Sequence, residues 1–146
     1  DLIFVDSNGL WYIHGRTDDI IKVSGHRIGP AEIEAAVTSH PSIAEAAAIG
    51  IPDKIKGESI SIYVILKTRP PSAHITNNDI LKDEIIKTVE NTIGKFACPK
   101  QIKFVSDLPK TRTGKLVRRL IRAKISNSIE DRDLTMIENP TSLDNF

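Results

Sequence analysis

The sequence predicts an α+β domain, in which an N-terminal β-hairpin precedes a small mixed β-sheet packed with helices. Two observations predict this class. Segments with the alternation of a β-strand are interleaved with segments whose apolar residues recur at helical spacing. Clusters of Gly, Pro, Asn and Asp separate these segments, as expected for turns. The 146 residues are enough for one domain with its own core.

Two apolar runs, residues 3–5 and residues 10–14, predict the N-terminal hairpin. Asn8-Gly9 lies between them, and this dipeptide is a strong hairpin signal because both of its residues accept a positive φ. Trp11 also suits a strand, since aromatic residues are enriched in sheets.

Residues 15–27 predict a second hairpin. Alternation sends the apolar residues of its strand to one face, and Gly25 supplies a position that tolerates positive φ. Arg16 and Arg27 flank the strand, and guanidinium groups suit phosphate oxygens. From the residues alone, this segment is either an anion-binding hairpin or a surface hairpin with solvated charges.

A helix and two strands follow. Pro30 suits the first turn of the helix, where Glu32 and Glu34 place negative charge at the positive end of the helix dipole. Residues 43–51 are mostly strand, because this apolar run is short and is closed by glycine and proline. Residues 59–66 carry apolar side chains on both faces, as in a central strand.

The next segments predict a loop, a helix and a short strand. Residues 69–72 are rich in proline and form the loop. A capping-box pattern at residues 76–79 begins a helix whose apolar residues recur every four positions until Gly94. Residues 102–105 form the strand.

The C-terminal part predicts a loop over residues 107–114 and a last helix that begins at Lys115. The helix directs apolar residues inward and arginines outward. The inward residues are Leu116, Leu120 and Ile121, and the outward residues are Arg118, Arg119 and Arg122. The polar tail after Ser126 either wraps the surface or frays.

The composition excludes several classes of function. Twenty basic and nineteen acidic residues leave a net charge of +1, which gives no general attraction to nucleic acid or to a membrane. No apolar run is long enough to span a bilayer. The single cysteine, Cys98, excludes an intrachain disulfide and fits a reducing, cytoplasmic location. Because the chain begins with Asp1, we expect a piece of a longer protein or a trimmed chain.

Gly114-Lys115 has the form of half a phosphate loop. A Walker A loop needs a glycine five positions before this pair and Ser or Thr after it, and the chain has Pro109 and Leu116 there. What remains is a lysine on a flexible turn that could reach an anion, or a solvated lysine at a helix end. The four histidines show no metal-ligand spacing.

Residues 110–124 form the one strongly basic stretch of the sequence. Its partner could be nucleic acid, a phosphorylated cofactor or an acidic protein surface, or the stretch is a solvated helix face. It contains no aromatic residue that would stack on bases, and this weakens the nucleic-acid interpretation.

Two motifs carry a family resemblance. The first resembles the hinge motif of the adenylate-forming superfamily of acyl-CoA synthetases and luciferases, and it reads Gly15-Arg16-x-Asp18-Asp19-x-Ile21-Lys22-x-x-Gly25-x-Arg27-Ile28, then Glu32-Ile33-Glu34. The second resembles that superfamily's C-terminal catalytic lysine motif, and it reads Pro109-Lys110-Thr111-x-Thr113-Gly114-Lys115. In detail the chain is most similar to acetyl- and propionyl-CoA synthetases, over nearly its whole length.

The resemblance implies an AMP-forming, short-chain acyl-CoA synthetase, an acid–thiol ligase. Such an enzyme activates a carboxylate with ATP and Mg²⁺ and transfers the acyl group to coenzyme A, with no permanently bound cofactor. It implies that residues 1–17 end a large N-terminal adenylation domain, residues 18–125 form the small C-terminal domain and residues 126–146 form a tail. The large domain would be a partner, and we expect no turnover by this chain alone.

The resemblance also implies roles for single residues. They are catalysis of adenylation for Lys115; ATP or AMP binding for Asp1, Arg16 and Arg27; a hinge at Asp18; coenzyme A binding for Ser24, Gly25, His26 and Lys56; and cation binding through the carbonyls of Thr38, His40 and Ile43. Relatives often carry a basic residue that binds the coenzyme A 3′-phosphate, but this chain has Glu90 at that position. Lys56, Lys87 or Lys95 would then bind the phosphate in its place.

A protein lysine acetyltransferase or deacetylase acting on Lys115 is a further expected partner, whereas nucleic acid and membrane are not expected. Two alternatives stay open. The first is a medium-chain synthetase or another adenylate-forming enzyme, which the acyl pocket outside this chain would decide. The second is a basic nucleic-acid-binding module.

Overall fold

The computed structural model describes residues 2–67, 78–129 and 134–146, with the backbone alone at Leu2 and His14. An antiparallel hairpin of β1 (Leu2–Val5) and β2 (Trp11–Gly15) precedes a five-stranded mixed sheet with helices on both faces. The predicted α+β class is therefore confirmed.

The elements of the main body fall close to the predicted segments. The strands are β3 (Ile21–Val23), β4 (His26–Ile28), β5 (Ile43–Asp53), β6 (Gly57–Leu66) and β7 (Gln101–Phe104). The helices are α1 (Pro30–Thr38), α2 (Asn78–Thr92) and α3 (Arg118–Ile125), with 3-10 turns at Lys95–Ala97 and Pro140–Asn145.

The predicted central strand is β6. It pairs antiparallel with β3 and β5 and parallel with β7. One face of the sheet packs against α1 and α2, where Ile62 and Val64 meet Ile33 and Ile85 in the larger core. On the other face, Tyr63 packs beneath α3 and the C-terminal residues. Burial on both faces explains why residues 62–65 of β6 are all apolar.

The N-terminal hairpin closes with one left-handed residue instead of the predicted two. Gly9 has a φ of 80°, whereas Asn8 is not among the residues with positive φ. Gly9 N–H donates to the carbonyl of Asp6 at 3.0 Å, and Asp6 N–H donates to the carbonyl of Leu10 at 3.0 Å. The Asp6 carboxylate accepts from the N–H groups of Asn8 and Leu10, which fixes a three-residue loop.

The prediction that the last helix begins at Lys115 is wrong. The helix begins at Arg118, and Lys115 directly follows a tight turn, on the second leg of a small hairpin. Gly114 has a φ of 80°, and Thr111 N–H donates to the Lys115 carbonyl at 2.9 Å. That carbonyl is therefore bound within a small hairpin, whose legs meet at a bridge between Lys110 and Leu116, and is not available to a helix.

The C-terminal residues 134–146 wrap the surface, which is one of the two behaviours predicted for the tail. Ile137 and Leu143 are buried against Leu120 of α3, and the Phe146 ring lies 4.7 Å from that of Tyr63. The predicted loop at residues 69–72 lies outside the described residues, as does the first half of the capping-box pattern. Within the described ranges, no helix is long and apolar enough to cross a membrane.

Candidate active site

A cleft of about 570 Å³ brings the two sequence motifs together. The chain around Arg16 and Asp18 forms one wall. The loop that carries Lys115 and the first turn of α3 form the opposite wall, and Met136 of the C-terminal segment also lines it. The predicted hinge and the predicted catalytic lysine therefore face one cavity, although they are far apart along the chain.

The backbone of Lys115 is fixed at both of its polar groups. Its N–H donates to Thr111 Oγ1 at 3.1 Å, and its carbonyl accepts from Thr111 N–H at 2.9 Å. Gly114 N–H donates to the Thr111 carbonyl at 2.8 Å, which closes the turn. The same two backbone hydrogen bonds close the three-residue loop between Asp6 and Leu10 in the N-terminal hairpin. The Lys115 side chain is exposed, so an ammonium group in contact with solvent extends from a backbone that hydrogen bonds hold in place.

Arg16 and Asp18 form a bidentate ion pair. Arg16 Nε and NH2 donate to the two carboxylate oxygens of Asp18 at 3.0 and 2.9 Å, and both side chains are exposed. The hydrogen bonds from Arg16 lower the pKa of Asp18 below its usual value. A turn follows, in which Asp19 N–H donates to the Arg16 carbonyl at 3.1 Å. The guanidinium predicted to bind nucleotide thus has an exposed carboxylate partner here.

Arg118 faces inward, so the prediction that it points outward is wrong. Its Nε and NH2 donate to the Glu34 carboxylate at 2.8 and 2.5 Å, and its NH1 lies 3.7 Å from Asp19 Oδ2. Burial lowers the pKa of Arg118, but the hydrogen bonds and charge of Glu34 outweigh it, so the net pKa is raised. A bidentate carboxylate on α1 therefore draws the arginine out of solvent.

Arg122, one turn later on α3, binds the backbone of the predicted hinge residue Asp18 directly. Its NH1 donates to the carbonyl of Asp18 at 3.1 Å. Two arginines of the basic stretch are thus engaged inside the domain, which weakens the nucleic-acid interpretation further. The sequence analysis missed Glu34, Arg118 and Arg122 as residues that hold the hinge. Glu34 belongs to the first motif, but it lies 84 positions before Arg118, and no local pattern pairs the two residues.

The predicted coenzyme A turn lies at the other end of β3. Ser24 and Gly25 have φ values of 49° and 82°, which makes the two-residue turn that suits a twisted hairpin. Ser24 N–H donates to the Lys56 carbonyl at 2.9 Å. The His26 ring stacks on Phe96 with centroids 4.2 Å apart. Phe96 was missed because it lies in a short 3-10 turn without any periodic pattern.

Arg27 and Lys22 lie directly opposite each other across the β3–β4 pair, and both are exposed. Together with Thr17 and Ile20 they line a cavity of about 260 Å³. Like charges opposite each other destabilise a sheet, and a bound anion would relieve that repulsion. The arrangement therefore suits a phosphate group, as predicted for Arg27.

The predicted cation residues are Thr38, His40 and Ile43. The His40 ring is occupied, since Nε2 lies 3.1 Å from a Glu84 oxygen and Nδ1 accepts from Ser42 N–H. The His40 carbonyl accepts from Ile43 N–H at 3.1 Å and keeps one lone pair. Carbonyl oxygens suit a hard cation, so the donor type fits a carbonyl-only site. Among the described residues, no group of three His, Cys, Asp or Glu could hold a metal.

That Lys56, Lys87 or Lys95 binds the coenzyme A 3′-phosphate stays a prediction. Glu90 pairs with Lys95 at 3.6 Å. Burial and the charge of Glu90 raise the pKa of the Cys98 thiol, while Lys95 and Lys56 act in the opposite direction, so these groups share one neighbourhood. Asp1, predicted to bind the nucleotide, lies outside the described residues.

Residues 32–115 match the family described as AMP-binding enzyme C-terminal domain, which is more than half of the chain. The chain belongs to this family. The resemblance read from the two motifs is therefore confirmed.

The relatives of this AMP-binding C-terminal domain are much longer proteins. An acetyl-coenzyme A synthetase of Methanothrix thermoacetophila is 45% identical over 141 residues, which are 97% of this chain and 20% of the relative. A 3-hydroxypropionyl-coenzyme A synthetase of Metallosphaera sedula is 44% identical over 144 residues, 99% of this chain and 21% of the relative. The chain thus spans about one fifth of the length of these relatives.

The fold of this chain also matches part of longer solved structures. An acyl-CoA synthetase of Brucella canis matches with a TM-score of 0.67 and 35% identity, covering 87% of this chain and 23% of that one. The small mixed sheet with its helices is therefore the fold of an adenylate-forming enzyme's C-terminal domain.

Proposed function

We propose that this domain serves an AMP-forming, short-chain acyl-CoA synthetase together with a large N-terminal adenylation domain. The observation that carries the proposal is the cleft in which Lys115 faces the hinge residues Arg16 and Asp18. The acyl substrate is acetate or propionate, or another short acid, since relatives of nearly equal identity are named for acetyl- and for 3-hydroxypropionyl-coenzyme A.

In the first half-reaction, a carboxylate oxygen attacks the α-phosphorus of ATP, and pyrophosphate leaves with the electron pair of the broken P–O bond. Lys115 lies beside the reacting groups, where its ammonium orients the carboxylate and stabilises the charge that builds up on the phosphate. Mg²⁺ enters with ATP as part of the substrate. Asp1 and Arg16 contact the nucleotide, and Arg27 contacts phosphate.

In the second half-reaction, the coenzyme A thiol attacks the acyl carbonyl, and AMP leaves. The Ser24–His26 turn, with Lys56 beside it, lines the path of coenzyme A. This turn and the Lys115 cleft lie at opposite ends of β3. A rotation of the small domain about Asp18 would therefore bring one of them to the substrates while it withdraws the other. Thr38, His40 and Ile43 would hold a cation away from the reacting atoms.

Replacing Lys115 in the full-length enzyme that carries this domain tests the proposal. Lys115→Ala should lower acid-dependent pyrophosphate release by about 10²- to 10³-fold, the scale for losing one preorganised donor of charge stabilisation. Thioester formation from supplied acetyl-adenylate and coenzyme A should stay within a factor of two, because Lys115 has no part in that step.

Lys103→Ala is the matched control, because Lys103 is also an exposed lysine but lies on β7 outside the cleft. It should leave both half-reactions unchanged. The proposal fails if Lys115→Ala retains adenylation, or if both half-reactions fall together.

The free thiol of Cys98 fits a cytoplasmic enzyme. A lysine acetyltransferase acting on the exposed Lys115 would remove its charge and should reproduce the alanine phenotype.

A further inference from the structure

The C-terminal segment binds both backbone polar groups of Lys110, in the loop that carries Lys115. Because Lys110 and Leu116 form an antiparallel bridge whose flanking bonds run from Thr111 N–H and Val117 N–H, the polar backbone groups of Lys110 point away from the loop. Buried backbone groups need partners. The C-terminal segment supplies both of them.

Asn139 is the centre of these contacts. Its Oδ1 accepts from Lys110 N–H at 3.1 Å, and its Nδ2 donates to the Leu108 carbonyl at 2.9 Å and to the Asp107 carboxylate. The neighbouring Glu138 N–H donates to the Lys110 carbonyl at 2.9 Å. The segment thus completes the outer leg of the loop as an adjacent strand would, with an amide side chain in place of one backbone carbonyl.

The segment is itself anchored on both sides of these contacts. Ile137, two residues before Asn139, is buried, and Leu143, four residues after it, is buried against Leu120 of α3. Met136 lines the Lys115 cleft. On the loop, the Lys110 ammonium pairs with the Glu45 carboxylate at 2.6 Å, which ties the same leg to β5.

We infer that Asn139 is a positioning residue for Lys115, acting through the base of the loop. It does not reach the cleft, and it holds the backbone from which the ammonium extends. The inference rests on the proposed role of Lys115 in adenylation. Displacement of a reacting group by about 1 Å can cost up to about 10²-fold in rate. Loss of the Asn139 hydrogen bonds should therefore shift Lys115 and slow adenylation.

The test replaces Asn139 in the full-length enzyme and measures the half-reactions separately. Asn139→Ala should lower the kcat of acid-dependent pyrophosphate release about 10- to 100-fold. The KM for ATP and thioester formation from supplied acetyl-adenylate should stay within a factor of two. General damage to the fold would lower both half-reactions in the same proportion. Asn139→Asp, which keeps the Oδ1 acceptor but loses both donated bonds, provides a second variant with the same expected split.

Asn145→Ala is the matched control, because Asn145 lies in the same segment but bonds to Ser142 and Ser106, not to the loop. It should leave both half-reactions unchanged. Lys115→Ala, measured in parallel, separates the two hypotheses. If Lys115→Ala abolishes adenylation while both Asn139 variants behave as the unmodified enzyme, or lose both half-reactions equally, the positioning role is refuted alone. If Lys115→Ala retains adenylation, the proposed function itself is refuted.

Discussion

Removing Glu34 should strongly destabilise the domain, because Arg118 would remain largely buried without its carboxylate partner. The Glu34 carboxylate accepts three hydrogen bonds: from Arg118 Nε at 2.8 Å, from Arg118 NH2 at 2.5 Å and from Ala48 N–H at 2.9 Å. Their side chains are only 13% and 20% exposed. Glu34→Ala would leave a largely buried guanidinium and a backbone N–H without these partners.

The size of the effect follows from these contacts. Removing one partner of a fully buried ion pair costs about 3–5 kcal/mol, and a hydrogen bond to a charged group contributes about 1.5–3 kcal/mol. Because Arg118 keeps some exposure, and Asp19 Oδ2 lies 3.7 Å from its NH1, we expect a loss of about 2–3 kcal/mol in the free energy of unfolding.

Urea unfolding of the purified chain, followed by circular dichroism, measures this loss as a shift in midpoint at constant slope. Glu32→Ala is the control, because Glu32 is a second glutamate of α1 but lies in its first turn and is exposed. It loses only a dipole interaction of about 0.3–1 kcal/mol. A Glu34→Ala loss no larger than that of Glu32→Ala would show that leaving Arg118 without its carboxylate costs little and would refute the argument.

Two further predictions concern the turns of the sheet. Gly25→Ala should destabilise the chain by about 1–2 kcal/mol through its φ of 82° alone, because a Cβ at this position meets no atom within 4 Å. Gly50→Ala acts in a different way, because a Cβ at position 50 would lie 2.9 Å from Glu58 Oε1 and collide with it. The urea midpoint and the structure of each variant check this difference. Hydrogen bonding to Lys100 lowers the pKa of Asp53, so that the stabilisation is complete above the unfolded pKa of about 3.9 and is lost as the pH falls towards the native pKa. Lys100→Ala should therefore lower the urea midpoint at pH 7 but make less difference at pH 2, where the Asp53 carboxylate approaches protonation in the native state, and an equal difference at both would contradict the assignment.

Local patterns predicted the elements whose determinants are themselves local. The burial of Ile21 and Val23 around an exposed Lys22 follows from strand alternation, and Pro30 begins α1 where a helix accepts proline. The apolar residues on both faces of β6 predicted its central place in the sheet. None of these features depends on a distant partner.

The errors occurred where distant partners decide. The start of α3 is set by the left-handed Gly114 and by a hydrogen bond from Val117 N–H to the Pro109 carbonyl, which hold residues 115–117 in a hairpin leg. Helix propensity does not distinguish a start at Lys115 from one at Arg118. The inward orientation of Arg118 depends on Glu34, which lies 84 positions earlier. The motifs predicted roles for Lys115 and for a hinge at Asp18, but the contacts of Asn139 had no local signal.

The contacts around Asp18 support the prediction that the chain pivots there. Arg122 binds the Asp18 carbonyl, and Arg118 lies beside Asp19, so α3 holds the chain on the downstream side. The carbonyl of Asp18 belongs to the peptide plane that leads to Asp19, and it moves with the small domain in a rotation about either φ or ψ of Asp18. These contacts can therefore persist through the rotation.

The contacts that cross the pivot are few and weak among the described residues. A rotation about ψ leaves the Arg16–Asp18 pair upstream, and a rotation about φ breaks it where both side chains are exposed. The backbone bond from Asp19 N–H to the Arg16 carbonyl must break in either case, at a net cost of about 1 kcal/mol. The buried Glu34–Arg118 pair lies entirely on the downstream side. The predicted joint at Asp18 would therefore separate a firmly bound small domain from a segment held by exposed bonds, as the proposed rotation between two half-reactions requires.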